Sequence, residues 1–402
     1  MNEEQRIVFE TVKKGTSVFI SGSAGVGKSF TIENIVRWCK SRGISVGVTA
    51  TTGVAAITIS GRTLHSFLGI GLARKSAYEL FLYVRKRYPL TIKYLRTLNM
   101  LIIDEISMLS DILIDKVSEY LQIIRDNALP FGGIQVVLCG DMCQLPPVEG
   151  DYCFLSRTWK SLNPTICILS RIMRQKDDEI FRAILEDARF GVCSDENLER
   201  LRSLKTQTFG EIRPTMLYST NLDVDAINMQ EYNKLKTEER VYKTEYSTHP
   251  FTKVWADSLK IPEVLPLKIG AQVMLTANLS VEDGYANGTR CMVTGFTEDG
   301  PIVLFKDGSQ LVVTPFAYNE ENSEVSVTCI PLRLAYALTI HKSQSMTLDA
   351  AVIDIGKNIF APGQAYTALS RVRDLKSVRI INVAKSAFKV HPAVVEFYSK
   401  IL

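Results

Sequence analysis

The segment GSAGVGKS at residues 22–29 decides the fold of this chain. Its spacing, G-x-x-x-x-G-K-S, lets backbone N–H groups turn inward around phosphate oxygens. In such a loop Lys28 reaches the outer phosphates of a nucleotide and the Ser29 hydroxyl binds Mg²⁺. The apolar run SVFI (17–20) precedes the segment and the helical pattern FTIENIVRWCK (30–40) follows it. Because a strand and a helix flank it in this order, we favour a phosphate-binding loop over a Gly/Ser surface turn.

Strand-like apolar runs alternate with helical patterns through the first 170 residues and again later in the chain. The pattern predicts a doubly wound α/β lobe, in which binding chemistry collects at the carboxyl ends of parallel strands, and then a second α/β lobe. Strands are predicted at 17–20, 45–50, 100–105, 134–141 and 165–170 in the first lobe, and at 215–220, 351–356 and 377–382 in the second.

The sequence pattern changes inside the second lobe, from Ile269 to Cys329, where short β-rich runs are separated by turn residues. Asn-Gly and Asp-Gly pairs are typical of hairpin connections. We therefore predict a small all-β barrel inserted in the second lobe. The turn pairs are Asn287-Gly288, Asp299-Gly300 and Asp307-Gly308.

Composition and the N-terminal sequence exclude several classes of protein. No apolar run reaches the roughly 18 residues that a membrane span needs, and MNEEQRIVFE resembles no targeting peptide. We expect a soluble intracellular protein with no membrane partner, nuclear in a eukaryote and cytoplasmic in a prokaryotic or viral setting. Of the eight cysteines, Cys139, Cys143 and Cys153 could suggest a metal, but no histidine stands at ligand spacing, so we interpret them as reduced core residues.

Charge gives a weak indication of a nucleic-acid partner, since Lys and Arg exceed Asp and Glu by only four. Residues 74–96 contain seven basic residues and one acidic residue, interleaved with five aromatic residues. Such a segment could bind a nucleic-acid strand by phosphate pairing and base stacking. It could equally be an amphipathic helix whose aromatic side chains face the core, and the segment alone does not decide between them.

Two carboxylates follow an apolar strand in LIIDEISM (101–108). Asp104 would hold Mg²⁺, directly or through water, and Glu105 would polarise an attacking water. By itself this is an ordinary acidic turn, but together with the phosphate loop it specifies ATP hydrolysis. At the end of another strand, in CGDMCQLPPV (139–148), Gln144 is placed to sense the γ-phosphate.

Two arginines, Arg174 in LSRIMRQ and Arg371 in YTALSRVR, are candidate arginine fingers across a cleft between the lobes. A single arginine is more commonly a surface residue, and this alternative stays open for both. The loops TATTGVAA (49–56) and LTIHKSQSMTLD (338–349) are rich in small and hydroxyl residues suited to phosphate contacts. Neither loop is decisive by its local chemistry.

These segments together resemble the petite-integration-frequency (PIF) family of DNA helicases, in the RecD-like B branch of superfamily one. The resemblance is ordered and spans nearly the whole chain. Two of the matching stretches, FGGIQVVLCGD and LTIHKSQ, are highly specific to the family. The matching stretches are NEEQ (2–5), GSAGVGKS, VTATTGVAA, TLHSF (63–67), LIIDEISM, PFGGIQVVLCGDMCQLPPV (130–148), PLRLAYALTIHKSQSMTLD (331–349) and GQAYTALSRVR (363–373).

The resemblance implies two RecA-like lobes with ATP between them, single-stranded DNA across their tops, and an inserted barrel of the Src-homology type. It implies a first lobe at 1–165 with a helical wedge near 61–98, a second lobe at 166–266 and 332–402, and the barrel at 267–331.

Site residues are also implied by the resemblance. Those at ATP are Gln5, which would read the adenine, Gly22, Ser23, Ala24, Gly25, Val26, Gly27, Lys28 and Ser29. Catalytic residues are Lys28, Asp104, Glu105, Gln144, Arg174 and Arg371, and the Mg²⁺ ligands are Ser29 and Asp104. Residues along the DNA path are Thr51, Thr52, Gly53, His65, Ser66, Phe67, Thr339, His341, Lys342, Ser343 and Gln344.

The function implied is ATP-dependent 5′-to-3′ translocation on single-stranded DNA, with unwinding of duplex or structured DNA in replication, repair or recombination. Partners would be single-stranded, tailed or forked DNA, with G-quadruplexes and RNA–DNA hybrids as further candidates, and we expect a monomer. Two alternatives remain: a DNA-stimulated ATPase that remodels protein–DNA complexes, and a binding module that ATP merely switches. Intact Glu105 and Gln144 and the two arginines argue against the switch.

At two positions the chain departs from the family pattern. Val26 stands where the family usually has threonine, and Ser345 stands where it usually has glycine after HKSQ. Glycine readily adopts positive φ, so the serine at position 345 leaves open both the geometry of this loop and the coupling of DNA to ATP.

Overall fold

The structure is a computed structural model, and it describes residues 1–171, 178–209, 214–250, 252–258, 261–277, 279–280, 283, 285, 287–305, 307–319 and 325–401. The chain forms two compact units. The first unit comprises Met1–Ser219 and Ser343–Leu402, and the second unit comprises Thr220–Lys342. Within the described residues, no helix has both the length and the apolar character needed to cross a membrane.

A six-stranded parallel sheet lies at the centre of the first unit, in the order β3-β2-β4-β5-β1-β6. All five strands predicted for the first lobe are confirmed, and a two-residue edge strand adds to them. The strands are β1 Val18–Ser21, β2 Val46–Ala50, β3 Arg62–Thr63, β4 Met100–Asp104, β5 Gln135–Gly140 and β6 Thr165–Ile168. Strand β6 pairs with β1 as far as Ile168.

Helices cover the sheet on both faces and form the segment predicted as a wedge. Apolar residues of the first two helices, among them Val8, Val12, Ile32 and Ile35, pack on the buried strands. The buried side chain of Val26 belongs to the same core, which suits an aliphatic residue at this position. The helices are α1 Glu3–Lys13, α2 Lys28–Ser41, α3 Gly53–Thr58, α4 Leu64–Leu68, α5 Ala77–Arg87, α6 Pro89–Thr97, α7 Asp111–Arg125 and α8 Arg157–Leu162.

The chain then continues through α9 Glu179–Arg189, α10 Asp195–Ser203 and β7 Thr215–Tyr218 before it enters the second unit. Short 3₁₀ helices occur in the first unit at Ile106–Met108, Pro130–Gly133, Cys153–Leu155, Leu204–Thr206, Leu375–Ser377 and Lys385–Ala387. All eight cysteines are free, and all are buried except Cys329, which is half-buried.

Small antiparallel sheets build most of the second unit, in the orders β14-β13-β12-β11-β17, β15-β16-β9 and β10-β8. Its core contains Leu267, Val273, Leu275, Val293 and Val303. Three helices and strands β8–β10 belong to the same unit, except that Ser343 at the end of the third helix belongs to the first unit. The elements are α11 Asn221–Lys234, β8 Glu239–Lys243, β9 Glu245–Tyr246, α12 Thr252–Ser258, β10 Val264–Lys268, β11 Gln272–Leu275, β12 Arg290–Phe296, β13 Pro301–Phe305, β14 Gln310–Val312, β15 Phe316–Asn319, β16 Ser326–Cys329, β17 Leu332–Leu334, β18 Ala337–Thr339 and α13 Ile340–Ser343.

The predicted turn pairs join neighbouring strands of the five-stranded sheet. Asn287-Gly288 lies between β11 and β12, Asp299-Gly300 between β12 and β13, and Asp307-Gly308 between β13 and β14. At the last of these turns Gly308 has a φ of 87°, a conformation that glycine adopts without steric cost. The hairpin predictions are confirmed.

The last part of the chain returns to the first unit as β19 Ala351–Ile355, α14 Gln364–Leu369, β20 Val378–Val383 and α15 Pro392–Ser399. Strand β19 lies between β7 and β20 and is parallel to both. These three strands are the second alternating set predicted from the sequence.

Candidate active site

The loop between β1 and α2 has the geometry of an anion-binding turn. Gly27 caps α2 with a φ of 87°, and an added β-carbon there would lie 2.7 Å from Gln5 Nε2. Helix α2 has no side-chain cap and no acidic residue in its first turn, so its N-terminal dipole favours an anion. The Lys28 ammonium donates to the carbonyl oxygens of Gly22 and Ser23 at 2.9 and 3.0 Å. This loop therefore fits the phosphates of a nucleotide.

Gln5 lies beside this loop because a capping box orients its side chain. Gln5 Oε1 accepts from the Asn2 N–H at 2.9 Å, and Asn2 Oδ1 accepts from the Gln5 N–H at 2.8 Å. These bonds leave Gln5 Nε2 next to Gly27. Gln5 is buried, and its amide is held where it adjoins the phosphate loop.

The two predicted carboxylates follow β4 and have different environments. Burial and the nearby charge of Glu105 raise the pKa of Asp104 to about 7, although Lys28 opposes the shift. The Glu105 N–H donates to Asp104 Oδ1 at 2.8 Å. A buried carboxylate and the Ser29 hydroxyl provide the hard oxygen ligands that Mg²⁺ prefers, so these residues fit the predicted cation.

Glu105 is contacted by the segment predicted to follow the DNA path. Gln344 Nε2 lies 3.2 Å from Glu105 Oε2 and 3.2 Å from Ser107 Oγ, and Ser345 Oγ donates to Glu105 Oε1 at 2.8 Å. Ser343 and Gln344 are fully buried. In this structure the Gln344 side chain therefore contacts the candidate catalytic carboxylate of Glu105. Contact of Gln344 with DNA stays a prediction.

The remaining predicted catalytic residues occupy separate environments. Gln144 is buried, and its Oε1 has no hydrogen-bond partner among the described residues. Arg371 is 2% exposed and donates to Thr367 O at 2.8 Å and to Ser370 Oγ at 2.6 Å, within its own helix end. Arg174 lies outside the described residues.

A buried ion pair that sequence reasoning missed adjoins the phosphate loop. Arg189 Nη2 lies 3.2 Å from Asp141 Oδ1, and the Tyr366 hydroxyl donates to Asp141 Oδ2 at 2.9 Å. That hydroxyl also accepts from the Ala24 N–H of the loop at 3.0 Å. Burial by itself would raise the pKa of Asp141, but the Arg189 guanidinium lowers it, so the pair is charged.

A second tyrosine completes this network. The Tyr398 hydroxyl lies 2.7 Å from Ser21 Oγ at the end of β1 and donates to Asp141 Oδ1 at 3.3 Å. The network thus ties the phosphate loop to α9, α14 and α15. Asp141 and Tyr366 lie in the motifs CGDMCQLPPV and GQAYTALSRVR, and this position was the one sign in the sequence that they belong to the site. Arg189 and Tyr398 lie in no such motif.

Breaking this pair has a large expected cost. We predict that Arg189→Ala lowers the free energy of unfolding by about 3–5 kcal/mol, because Asp141 is left buried without its counter-charge. Arg182→Ala is the matched control on the same helix, since its partner Glu179 is 89% exposed and the pair should contribute at most about 1 kcal/mol. Urea denaturation measures both, and equal small losses would contradict a role for the buried pair.

The first group of predicted DNA residues adjoins the acid pair. Thr51 donates from its N–H to Asp104 O at 3.2 Å and from its hydroxyl to Glu105 O at 2.9 Å. Thr52 Oγ1 accepts from the Ala55 N–H near the start of α3, whose first residue is Gly53. The TATTG loop is therefore bonded to the backbone of the candidate hydrolytic residues.

The second group lies on α4. Burial lowers the pKa of His65, Ser66 is exposed, and the Phe67 ring packs edge-on to Tyr94 at 5.9 Å. The third group, in the second unit, comprises Thr339, which is buried and whose Oγ1 accepts from the Lys342 N–H at 3.4 Å, and His341, whose pKa burial lowers.

In the basic segment 74–96 the buried face of the helices is aliphatic, so the alternative in which its aromatic side chains face the core is wrong. Ala77, Leu80, Val84, Ile92 and Leu95 are buried, whereas none of the five aromatic residues in the segment is. Lys75 and Arg85 lie over the Tyr83 and Phe81 rings at 5.0 and 5.2 Å. Cations and aromatic rings thus share the outer face of these helices.

Comparisons with known proteins agree with this geometry. A family model described as PIF1-like helicase matches residues 1–196, and one described as DNA helicase Pif1, 2B domain, matches 258–296. The chain is 33% identical over 410 residues to the ATP-dependent DNA helicase Pif1 of Bdellovibrio bacteriovorus, covering 100% of this chain and 92% of that protein. It is 36% identical over 414 residues to the human ATP-dependent DNA helicase PIF1, covering 100% of this chain and 64% of the relative.

The solved structures that match this chain are also Pif1 helicases. The Pif1 helicase from Candida albicans matches with a TM-score of 0.92 and 35% identity, over 100% of this chain and 99% of that one. A Bacteroides Pif1 bound to single-stranded DNA matches with a TM-score of 0.83 and 28% identity, over 99% and 96% of the two chains.

The fold and the phosphate loop define a P-loop protein of two RecA-like lobes with a small inserted β domain, as predicted. The chain belongs to the PIF1-like helicase family. It spans about two thirds of the length of several curated relatives, 64% of the human protein among them.

Proposed function

We propose that this protein is an ATP-dependent DNA helicase that moves 5′-to-3′ on single-stranded DNA and unwinds duplex or structured DNA during replication, repair or recombination. One observation carries the proposal: Gln344, in the loop expected along the DNA path, is bonded to Glu105, the expected hydrolytic residue. A translocating helicase needs a structural connection of this kind between the residues that contact DNA and those that hydrolyse ATP. The direction is the one implied by the resemblance to the B branch of superfamily one.

Each residue of the site has a role in this proposal. The loop Gly22–Ser29 binds the phosphates of ATP, Lys28 moves from its carbonyl partners to the outer phosphates, and Gln5 contacts the adenine. Glu105 orients and polarises the attacking water, and Gln144 senses the γ-phosphate. Mg²⁺, held by Ser29 and Asp104, would neutralise charge on the phosphates. Arg174 and Arg371 stabilise charge in the transition state.

DNA is the proposed partner, in single-stranded, tailed or forked form. Solved relatives support this, since one is described as bound to single-stranded DNA and another as unwinding forked duplex DNA. The residues proposed to hold the strand are Thr51, Thr52, Gly53, His65, Ser66, Phe67, Thr339, His341, Lys342, Ser343 and Gln344. The cations and aromatic rings on the outer face of residues 74–96 suit an additional contact with DNA.

The proposal extends to the domain boundaries, the oligomeric state and the site of action. We propose lobes at 1–165 and at 166–266 with 332–402, a β domain at 267–331, action as a monomer, and a site of action wherever the DNA of the source resides, nucleus or cytoplasm. G-quadruplexes and RNA–DNA hybrids are additional candidate substrates.

Strand displacement with tailed duplexes tests the function. With ATP and Mg²⁺, a duplex with a 5′ single-stranded tail should be opened, and the same duplex with a 3′ tail should remain closed. A blunt duplex is the control for spontaneous melting. Opening of only the 3′-tailed duplex would overturn the direction, and DNA-stimulated ATP hydrolysis without any opening would favour the protein–DNA remodelling alternative.

A further inference from the structure

Ser345 adopts a backbone conformation that serine rarely uses. Its φ is 70°, in the left-handed region where residues with a β-carbon are sterically disfavoured. This serine therefore keeps the backbone conformation that is expected of a glycine. A strained residue persists only where its surroundings hold it, so the contacts of the side chain explain why a serine stands here.

The Ser345 hydroxyl and the neighbouring Gln344 amide approach the two oxygens of one carboxylate. Ser345 Oγ donates to Glu105 Oε1 at 2.8 Å, and Gln344 Nε2 lies 3.2 Å from Oε2. Glu105 itself has a φ of 55°. Donors on both oxygens restrict rotation of the carboxylate plane more than one donor does.

Each oxygen of a carboxylate has about two lone-pair sites, so these bonds leave acceptor capacity for a water molecule. Hydrogen bonds to a charged group are also stronger than those between neutral groups. The two donors therefore orient the carboxylate and still leave lone pairs free to accept a hydrogen bond from water.

We propose that Ser345 is a positioning residue for Glu105. Glycine at the same position could not take this role, because it has no side-chain hydrogen-bond donor. Its hydroxyl holds the carboxylate in the orientation from which it polarises water, and this interaction compensates for the left-handed backbone. The inference rests on the proposed ATP hydrolysis and deepens it, because it assigns to this chain a hydrogen bond that acts on the hydrolytic residue.

Two substitutions separate the hydroxyl from the backbone. Ser345→Ala removes the donor and keeps the disfavoured φ, whereas Ser345→Gly removes both. Each should lower kcat for DNA-stimulated ATP hydrolysis by about tenfold, the low end expected for losing a bond to a charged group while Gln344 remains. The KM for ATP should change by less than about twofold, since neither variant touches the phosphate loop.

Ser60 provides the matched control, since it is an exposed serine of the first unit with a φ of 51°. Ser60→Ala and Ser60→Gly should leave kcat unchanged, and Ser60→Gly should raise the melting temperature, as removal of left-handed strain does in general. Equal effects at Ser60 and Ser345 would overturn the proposal, because they would show a backbone effect alone.

A double-mutant cycle on stability tests the bond independently of activity. Ser345→Ala should lower the melting temperature in the wild-type background and change it little when Glu105→Ala is already present. Equal shifts in both backgrounds, or a kcat equal to wild type in both Ser345 variants, would overturn the inference. Failure of the wild-type protein to hydrolyse ATP would instead overturn the proposed function, and the stability cycle would still report on the bond.

Discussion

Lys28→Ala should abolish DNA-stimulated ATP hydrolysis while leaving the fold intact. The ammonium group lies in the phosphate loop, where its partners are the carbonyl oxygens of Gly22 and Ser23, and the side chain is only half-buried. Its loss therefore removes a positive charge from the phosphates without opening a cavity in the core. We expect a fall in kcat/KM of more than about 10³-fold, since one cation at a phosphoryl-transfer transition state can contribute that much.

Steady-state ATP turnover with oligo-dT measures this effect, with circular dichroism and the melting temperature as checks of folding. Lys40→Ala is the matched control, because Lys40 is exposed in the last turn of the same helix. Its turnover should equal that of the wild type. A well-folded Lys28→Ala protein with undiminished turnover would refute the assignment of the phosphate loop.

Arg371→Ala is expected to lower kcat by about 10³-fold or more if the guanidinium acts as an arginine finger. The protein should still bind a non-hydrolysable ATP analogue, because a finger acts on charge that develops in the transition state. The structure adds a second consequence. The guanidinium is buried against Thr367 O and Ser370 Oγ, so its removal should also lower the free energy of unfolding by about 1–3 kcal/mol.

The two consequences are separated by measuring turnover well below the melting temperature of the variant. Arg373→Ala is the matched control, since Arg373 is exposed only two residues further along the chain, and it should keep both turnover and stability. Loss of affinity for the analogue with preserved kcat would assign Arg371 to nucleotide binding. Loss of stability alone would leave it a structural residue of its lobe.

Local chemistry explains which predictions from the sequence were confirmed. The strands of both α/β sets, the glycine-rich turn between β1 and α2 and the hairpin turns rest on apolar runs and on Gly-containing pairs, whose conformational preferences act over a few residues. The proximity of Asp104 and Lys28 follows from the same pattern, because the carboxyl ends of parallel strands share one edge of a sheet.

Other parts of the site depend on contacts between distant segments. Asp141 is paired with Arg189 and bonded to Tyr366 and Tyr398, 48, 225 and 257 positions away. No local pattern marks Arg189 as buried, since arginine is ordinarily exposed. The segment 74–96 could not be assigned from the sequence either, because its basic and aromatic residues suit nucleic-acid binding as well as an amphipathic helix, and only packing shows that the aliphatic face is the buried one.

Ser345 shows the same division at a single residue. The amino-acid sequence by itself determined that a serine occupies a position where positive φ was expected, together with the strands, the phosphate loop and the acid pair. Only the tertiary structure decided that this serine keeps φ at 70° and donates to Glu105. The physical reason is distance along the chain: propensities and hydrophobic patterns act between near neighbours, whereas the partner that compensates for local strain is brought close only when the whole unit has folded.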